Sequence, residues 1–141
     1  MTPRILCTGL AAGFAMMGVS VAASAQELSA AAAERLAAYE NTGETRSCIG
    51  LNRIRSIDPI DDNHFLVELR NREVWLNTTR GRCSGAAQSF NRLQYRTSGT
   101  QLCSGQIVEI IDNATGMSSG ACGLGQFELL RPVEANGGAS R

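Results

Sequence analysis

The chain has no lysine, one histidine, one tryptophan and few aromatic residues of any kind, and its formal charge is zero. Each shortage removes a class of function. With a single histidine, any serine triad or activated base would have to be built on His64, and no His-Glu-x-x-His pair exists. The cysteines are isolated singletons, so no Cys-x-x-Cys redox centre or paired zinc motif is written locally. There is no phosphate-loop signature. Gly120, Gly123 and Gly125 lack the following helix pattern that a dinucleotide fingerprint needs. Asp61-Asp62-Asn63 lacks the longer run of alternating oxygen ligands and the closing glutamate of a calcium loop. The use of arginine for every basic position reads first as codon bias, although arginine also suits bidentate anion contacts.

What is present points to export. Arg4 precedes an apolar, small-residue stretch from Ile5 to Val21, and Ala23-Ser24-Ala25 offers the small-x-small pattern of a signal-peptidase site. The expectation is a signal peptide over residues 1–25, a mature chain beginning at Gln26, and a periplasmic or secreted location. The rival is an uncleaved anchor, since Ile5–Ala25 is long enough to span a bilayer. Its richness in Ala, Gly, Ser and Thr and the lack of a basic stop signal favour cleavage, leaving no transmembrane segment. Cys7 lies too early to be a lipoprotein's acylated cysteine and is lost with the leader.

After the leader, residues 26–44 read as a short helix and linker. Glu27 to Gly43 carries Ser29 as N-cap, an Ala-rich run, a stripe of Leu28, Ala32, Leu36 and Tyr39, and Gly43 as the stop. Residues 45–131 read as a disulfide-stapled β domain, and residues 132–141 as a flexible tail. Period-two patterning predicts strands over Arg46–Ile57, His64–Arg70, Glu73–Asn77, Leu93–Thr97, Gln106–Ile111 and Gln126–Leu130. Asn71-Arg72 reads as a hairpin connection, and the irregular Ser84–Ser89 as a crossing between sheets. The expected fold is mainly β: a small antiparallel β-barrel or roll of about six strands, with one short N-terminal helix across an opening and two disulfides.

Cys48, Cys83, Cys103 and Cys122 allow three pairings, and spacing does not choose among them. A nested arrangement is expected, Cys48 with Cys122 and Cys83 with Cys103. The first would tie the opening strand to the closing one, and the second would pin Ser84–Ser89.

Two candidate sites stand out. His64 follows Asp61 and Asp62, a carboxylate-rich turn able to orient a general base, although a plain turn explains it as well. Nine arginines against five carboxylates lie between Arg46 and Arg96. Within that stretch Arg53 and Arg55 are two apart on a predicted strand, and Arg80 and Arg82 flank a glycine. A basic face of this kind would attract an anionic envelope component such as a lipid phosphate or a glycan; nucleic acid is not the expected partner. The first explanation of such a face is an ordinary solvated surface with its arginines paired to the acidic helix. Trp75 and Tyr95 offer stacking surfaces or, more simply, core. Asn77-Thr78-Thr79 and Asn113-Ala114-Thr115 match glycosylation acceptors, which in a bacterial protein are chance turn sequences.

Cys48-Ile49, Asp61-Asp62, Asn77-Thr78, Cys83, Tyr95, Leu102-Cys103 and Cys122-Gly123-Leu124-Gly125-Gln126-Phe127 together resemble a family of small exported Gram-negative proteins of unknown function. The likeness runs from about Arg46 to Leu130, and Leu-Cys-x-Gly and Cys-Gly-Leu-Gly-x-Phe are its most specific pieces. It implies a single exported domain and assigns no activity. The leading expectation is a non-enzymatic binding or envelope-associated module without metal or cofactor. Alternatives are an anion-binding module using Arg53, Arg55, Arg80 and Arg82, and a small hydrolase or metal-dependent enzyme centred on His64 with Asp61 or Asp62.

Overall fold

Strand-forming residues and tight turns alternate from Tyr39 to Pro132, and they make ten antiparallel strands behind one helix in a computed structural model that describes residues 28–134. The expected leader and residues 135–141 of the expected tail lie outside the described residues. In chain order the elements are α1 (Ala30–Leu36), β1 (Tyr39–Arg46), β2 (Cys48–Gly50), β3 (Ile54–Pro59), β4 (His64–Leu69) and β5 (Val74–Thr78). They continue with β6 (Asn91–Tyr95), β7 (Gln101–Cys103), β8 (Ile107–Asp112), β9 (Ser118–Gly123) and β10 (Phe127–Pro132). A five-stranded sheet has the order β1-β10-β5-β4-β3, a three-stranded sheet the order β6-β8-β9, and β2 pairs with β7 alone.

This corrects the expected barrel of about six strands. The sheets are antiparallel, but they do not close: among the described residues, β3 and β6 each end a sheet with one edge unpaired. Pro59 on β3 has no N–H to offer a further strand, which suits an edge. The predicted strand Arg46–Ile57 is also three elements. β1 ends at Arg46, β2 leaves to pair with β7, and a 3-10 turn at Leu51–Arg53 precedes β3.

The helix is shorter than expected. Ser29 caps it, its hydroxyl accepting from the Ala32 N–H at 3.1 Å, but the helix stops at Leu36. Residues 39–44, expected as its continuation and linker, belong to β1, because Asn, Thr and Gly are poor helix formers and β10 offers a free edge. Gly43, at φ 80°, serves a bulge in β1 and not a helix stop. β10 runs through Pro132, and the Val133 N–H donates to the Ala38 carbonyl at 2.9 Å, so β pairing enters the segment read as tail.

The core has two parts. Phe65, Val67 and Leu69 of β4 join Trp75, Leu102, Val108, Ile110, Leu124 and Phe127 in the main cluster between the sheets. The other face of β4 is buried too, because α1 lies on the outside of the five-stranded sheet and seats Ala32 against Ile60, Leu66 and Leu130. The helix therefore covers a sheet face and not an opening.

The disulfides join Cys48 to Cys103 and Cys83 to Cys122, which corrects the nested pairing. Cys48 and Cys103 are direct cross-strand partners on β2 and β7. The opening and closing strands are joined by the hydrogen-bonded β1–β10 ladder, so no disulfide is needed there. Cys83, at the start of the Ser84–Ser89 crossing, instead meets Cys122 inside the main core.

Candidate functional site

The open edges of β3 and β6 flank a groove of about 550 Å³. Its apolar lining comes from Leu51, Ile54, Ile57, Ala86, Leu93 and Tyr95, several of which pack on the main core. The Ala86–Ser89 part of the crossing closes one side. Successive turns shape that crossing, with Ala86 N–H on the Cys83 carbonyl at 2.9 Å and Asn91 N–H on the Gln88 carbonyl at 3.0 Å. Gly85, at φ 81°, permits the bend, and its carbonyl accepts from the Asn91 side-chain amide at 2.9 Å. That bond fixes the Asn91 amide and leaves its Oδ1 buried without a hydrogen-bond partner in the described structure.

Ladder alternation decides which backbone groups face the groove side. The Asn113 N–H donates to the Phe90 carbonyl at 3.0 Å, one step beyond the β6–β8 ladder. The N–H and C=O groups of Arg92 and Gln94 therefore turn to β8, and those of Leu93 and Tyr95 turn to the open edge. On β3, the Ile60 N–H donates to the His64 carbonyl at 2.9 Å, so Ser56 and Asp58 face β4 while Ile57 and Pro59 face outwards. Two arginines and no carboxylate line the groove. Arg55 is paired with Glu68 at 3.0 Å, whereas Arg92 holds only the Asn113 side-chain oxygen, also at 3.0 Å.

The structure does not gather Arg53, Arg55, Arg80 and Arg82. Arg53 sits on the 3-10 turn and faces Glu73 at 3.6 Å, so the two-residue spacing to Arg55 does not place them together on one strand. Arg80 forms a bridge with Gly123, its guanidinium 3.4 Å from Ser104 Oγ, and Arg82 donates to Asp62 at 2.9 Å. Trp75 is fully buried, with the Arg46 guanidinium 4.8 Å from its ring centre.

His64 is buried, and its Nδ1 lies 2.9 and 3.0 Å from the two Asp61 oxygens. Asp61 also accepts from the backbone N–H groups of Asn63 and His64 at 2.7 Å and of Ser29 at 3.2 Å. Burial opposes ionisation of Asp61, but the Asn63 and Ser29 N–H donors and the His64 ring outweigh it and hold its carboxyl below the ordinary aspartate range. Asp62 caps the far loop through the Gly85 N–H at 3.0 Å and Arg82. These contacts tie the turn to the start of α1 and to the crossing. No group of three metal-ligating side chains occurs among the described residues.

Asn77 explains two of the motifs. It is fully buried; its Nδ2 donates to the Gly125 carbonyl at 2.9 Å, and its Oδ1 accepts from the Gly125 N–H at 3.0 Å. A Cβ on Gly125 would overlap the Thr78 carbonyl oxygen, so both residues serve one β5–β10 junction. Asn77, being buried, is itself no glycan acceptor in the folded domain. Asn113 is exposed in the β8–β9 turn.

Residues 3–122 match a family described as a family of unknown function (DUF6491). The chain belongs to this family. The match starts within the expected leader and stops at Cys122, so it includes α1 and omits most of the Cys-Gly-Leu-Gly-x-Phe piece on which the sequence resemblance leaned. No curated protein and no solved structure matches the chain. Sequence reasoning missed the groove, because its walls come from segments about thirty residues apart, each ordinary alone. The only local signal was Pro59, which marks an edge strand.

Proposed function

We propose that this protein is an exported, non-enzymatic binding module that captures a partner in the groove between β3 and β6. The groove carries the reading: an apolar floor continuous with the core, bordered by unpaired strand edges, is costly to leave in water and suits a macromolecular contact. Export is supported by the leader-like residues 1–25 and by the two disulfides, which persist in oxidising compartments. Among the described residues, no helix is long and apolar enough to cross a membrane. The arginine-face reading has weaker support, since Arg53, Arg55 and Arg82 each have a carboxylate partner.

A photo-crosslinking residue at Ala87, exposed on the groove wall, tests the reading in the exporting cell. A discrete adduct at Ala87, absent when the same residue replaces Glu40 on the distant β1 edge, is expected. No adduct at Ala87, or equal adducts at both positions, refutes a specific groove.

A further inference from the structure

We propose that the groove's occupant is an extended peptide bearing a carboxylate side chain, which adds as a strand to the open edge of β6 and sets its acid on Arg92. This rests on the groove-binding reading above and gives it a ligand class. Three observations converge on it.

The Leu93 and Tyr95 N–H and C=O groups point to the open edge, and no described residue bonds to them. Two donors and two acceptors at strand spacing are what main-chain addition of a strand uses. The facing edge on β3 is the poorer template, because Pro59 removes a donor at one of its two outward positions. This difference assigns the added strand to β6. Side chains alternate along such a strand, so every second residue would drop onto the Ile54 and Ile57 floor while the others stay at the rim.

The charge selects an acidic partner. With no carboxylate in the lining and Arg55 already paired, Arg92 presents the unspent positive charge. A peptide carboxylate can take two of its N–H donors.

The test titrates an end-capped octapeptide of alternating valine and glutamate into the ¹⁵N-labelled, disulfide-intact protein. Saturable binding is expected, with downfield shifts and slowed solvent exchange at the Leu93 and Tyr95 amides. A lysine-for-glutamate peptide should bind about fivefold or more weakly, and Arg92→Glu, an exposed substitution, should abolish or reverse that preference. Of two glutamate peptides N-methylated at alternate residues, one at its valines and one at its glutamates, the peptide whose edge-facing donors are blocked should lose binding and the other should keep it. The proposal is overturned by equal binding of the acidic and basic peptides, by indifference to N-methylation, or by no binding. If the Ala87 adduct still forms in those cases, the groove reading stands and only the strand inference fails; without the adduct both fail. Concentration-dependent protection of Leu93 and Tyr95 without peptide would make a second copy the occupant and also overturn it.

Discussion

Opening one disulfide at a time separates the contributions of the two crosslinks and tests their crossed pairing. The bridged residues are 55 apart for Cys48–Cys103 and 39 apart for Cys83–Cys122. In the chain-entropy account, loops of these lengths each stabilise by about 4 kcal/mol at 25 °C, because the cost grows only with the logarithm of length. Their surroundings differ more than their lengths. Cys48 and Cys103 are half-buried between the short strands β2 and β7, whereas Cys83 and Cys122 lie in the main core. Replacing Cys48 and Cys103 by alanine should therefore cost about 4 kcal/mol, and replacing Cys83 and Cys122 about 1–2 kcal/mol more, from lost packing. Against a total of about 5–15 kcal/mol for a domain, either loss is large, and losing both leaves the fold near its limit. Urea unfolding followed by the single, fully buried Trp75 gives the readout, and 4 kcal/mol corresponds to about 2 M in the midpoint. Peptide mapping without reductant gives the pairing. Trypsin alone leaves Cys103 and Cys122 on one fragment, because no arginine or lysine lies between them. A second cut after Glu109 separates them. Recovery of a Cys48–Cys122 fragment, or a midpoint unmoved by either double substitution, would refute the reasoning.

Asn77→Ala should destabilise by about 3 kcal/mol, since it strands the buried N–H and C=O of Gly125, and Gly125→Ala should do at least as much harm through its clash with Thr78. Equal unfolding midpoints for variant and parent would remove that account. Asp61 has a depressed folded pKa, so its contribution is fully present above the unfolded value of about 3.9 and fades as pH falls through the folded one. Asp61→Asn should cost about 1–3 kcal/mol at neutral pH and flatten the loss of stability below about pH 4; an unchanged acid limb would contradict this. Intact-mass analysis of the protein from its exporting cell should give Gln26–Arg141 less four hydrogens, and an uncut chain or free thiols at Cys48, Cys83, Cys103 or Cys122 would count against export.

The β character and the β4–β5 hairpin were legible because Phe65, Val67 and Leu69 alternate along a β-rich run that the Asn71-Arg72 turn follows, whereas burial of the second face of β4 was not, since it depends on where α1 lands. β9 was not, because Ser118-Ser119-Gly120-Ala121 carries no strand-forming side chain and owes its strand state to pairing with β8. β1 was misread because the Ala-rich run before it has strong helix propensity, while its own strand state comes from β10, about ninety residues away. The groove and the disulfide pairing share that difficulty. Each is set by which distant edges meet or stay apart, and neither Arg92 nor Asn91 differs in sequence from an ordinary surface residue.

The crossed pairing of the cysteines bears on how the protein matures. A chain threaded through a membrane from its N-terminus presents Cys48 and Cys83 first, and these are not native partners. An oxidant acting in order of arrival would join them and leave Cys103 and Cys122 to each other. The native state is then reached only if oxidation waits until β7 and β9 have emerged, or if thiol exchange reshuffles the early bond. If the chain is exported and oxidised early, so small a domain would need a disulfide isomerase to mature, a need that two consecutive pairs would not impose.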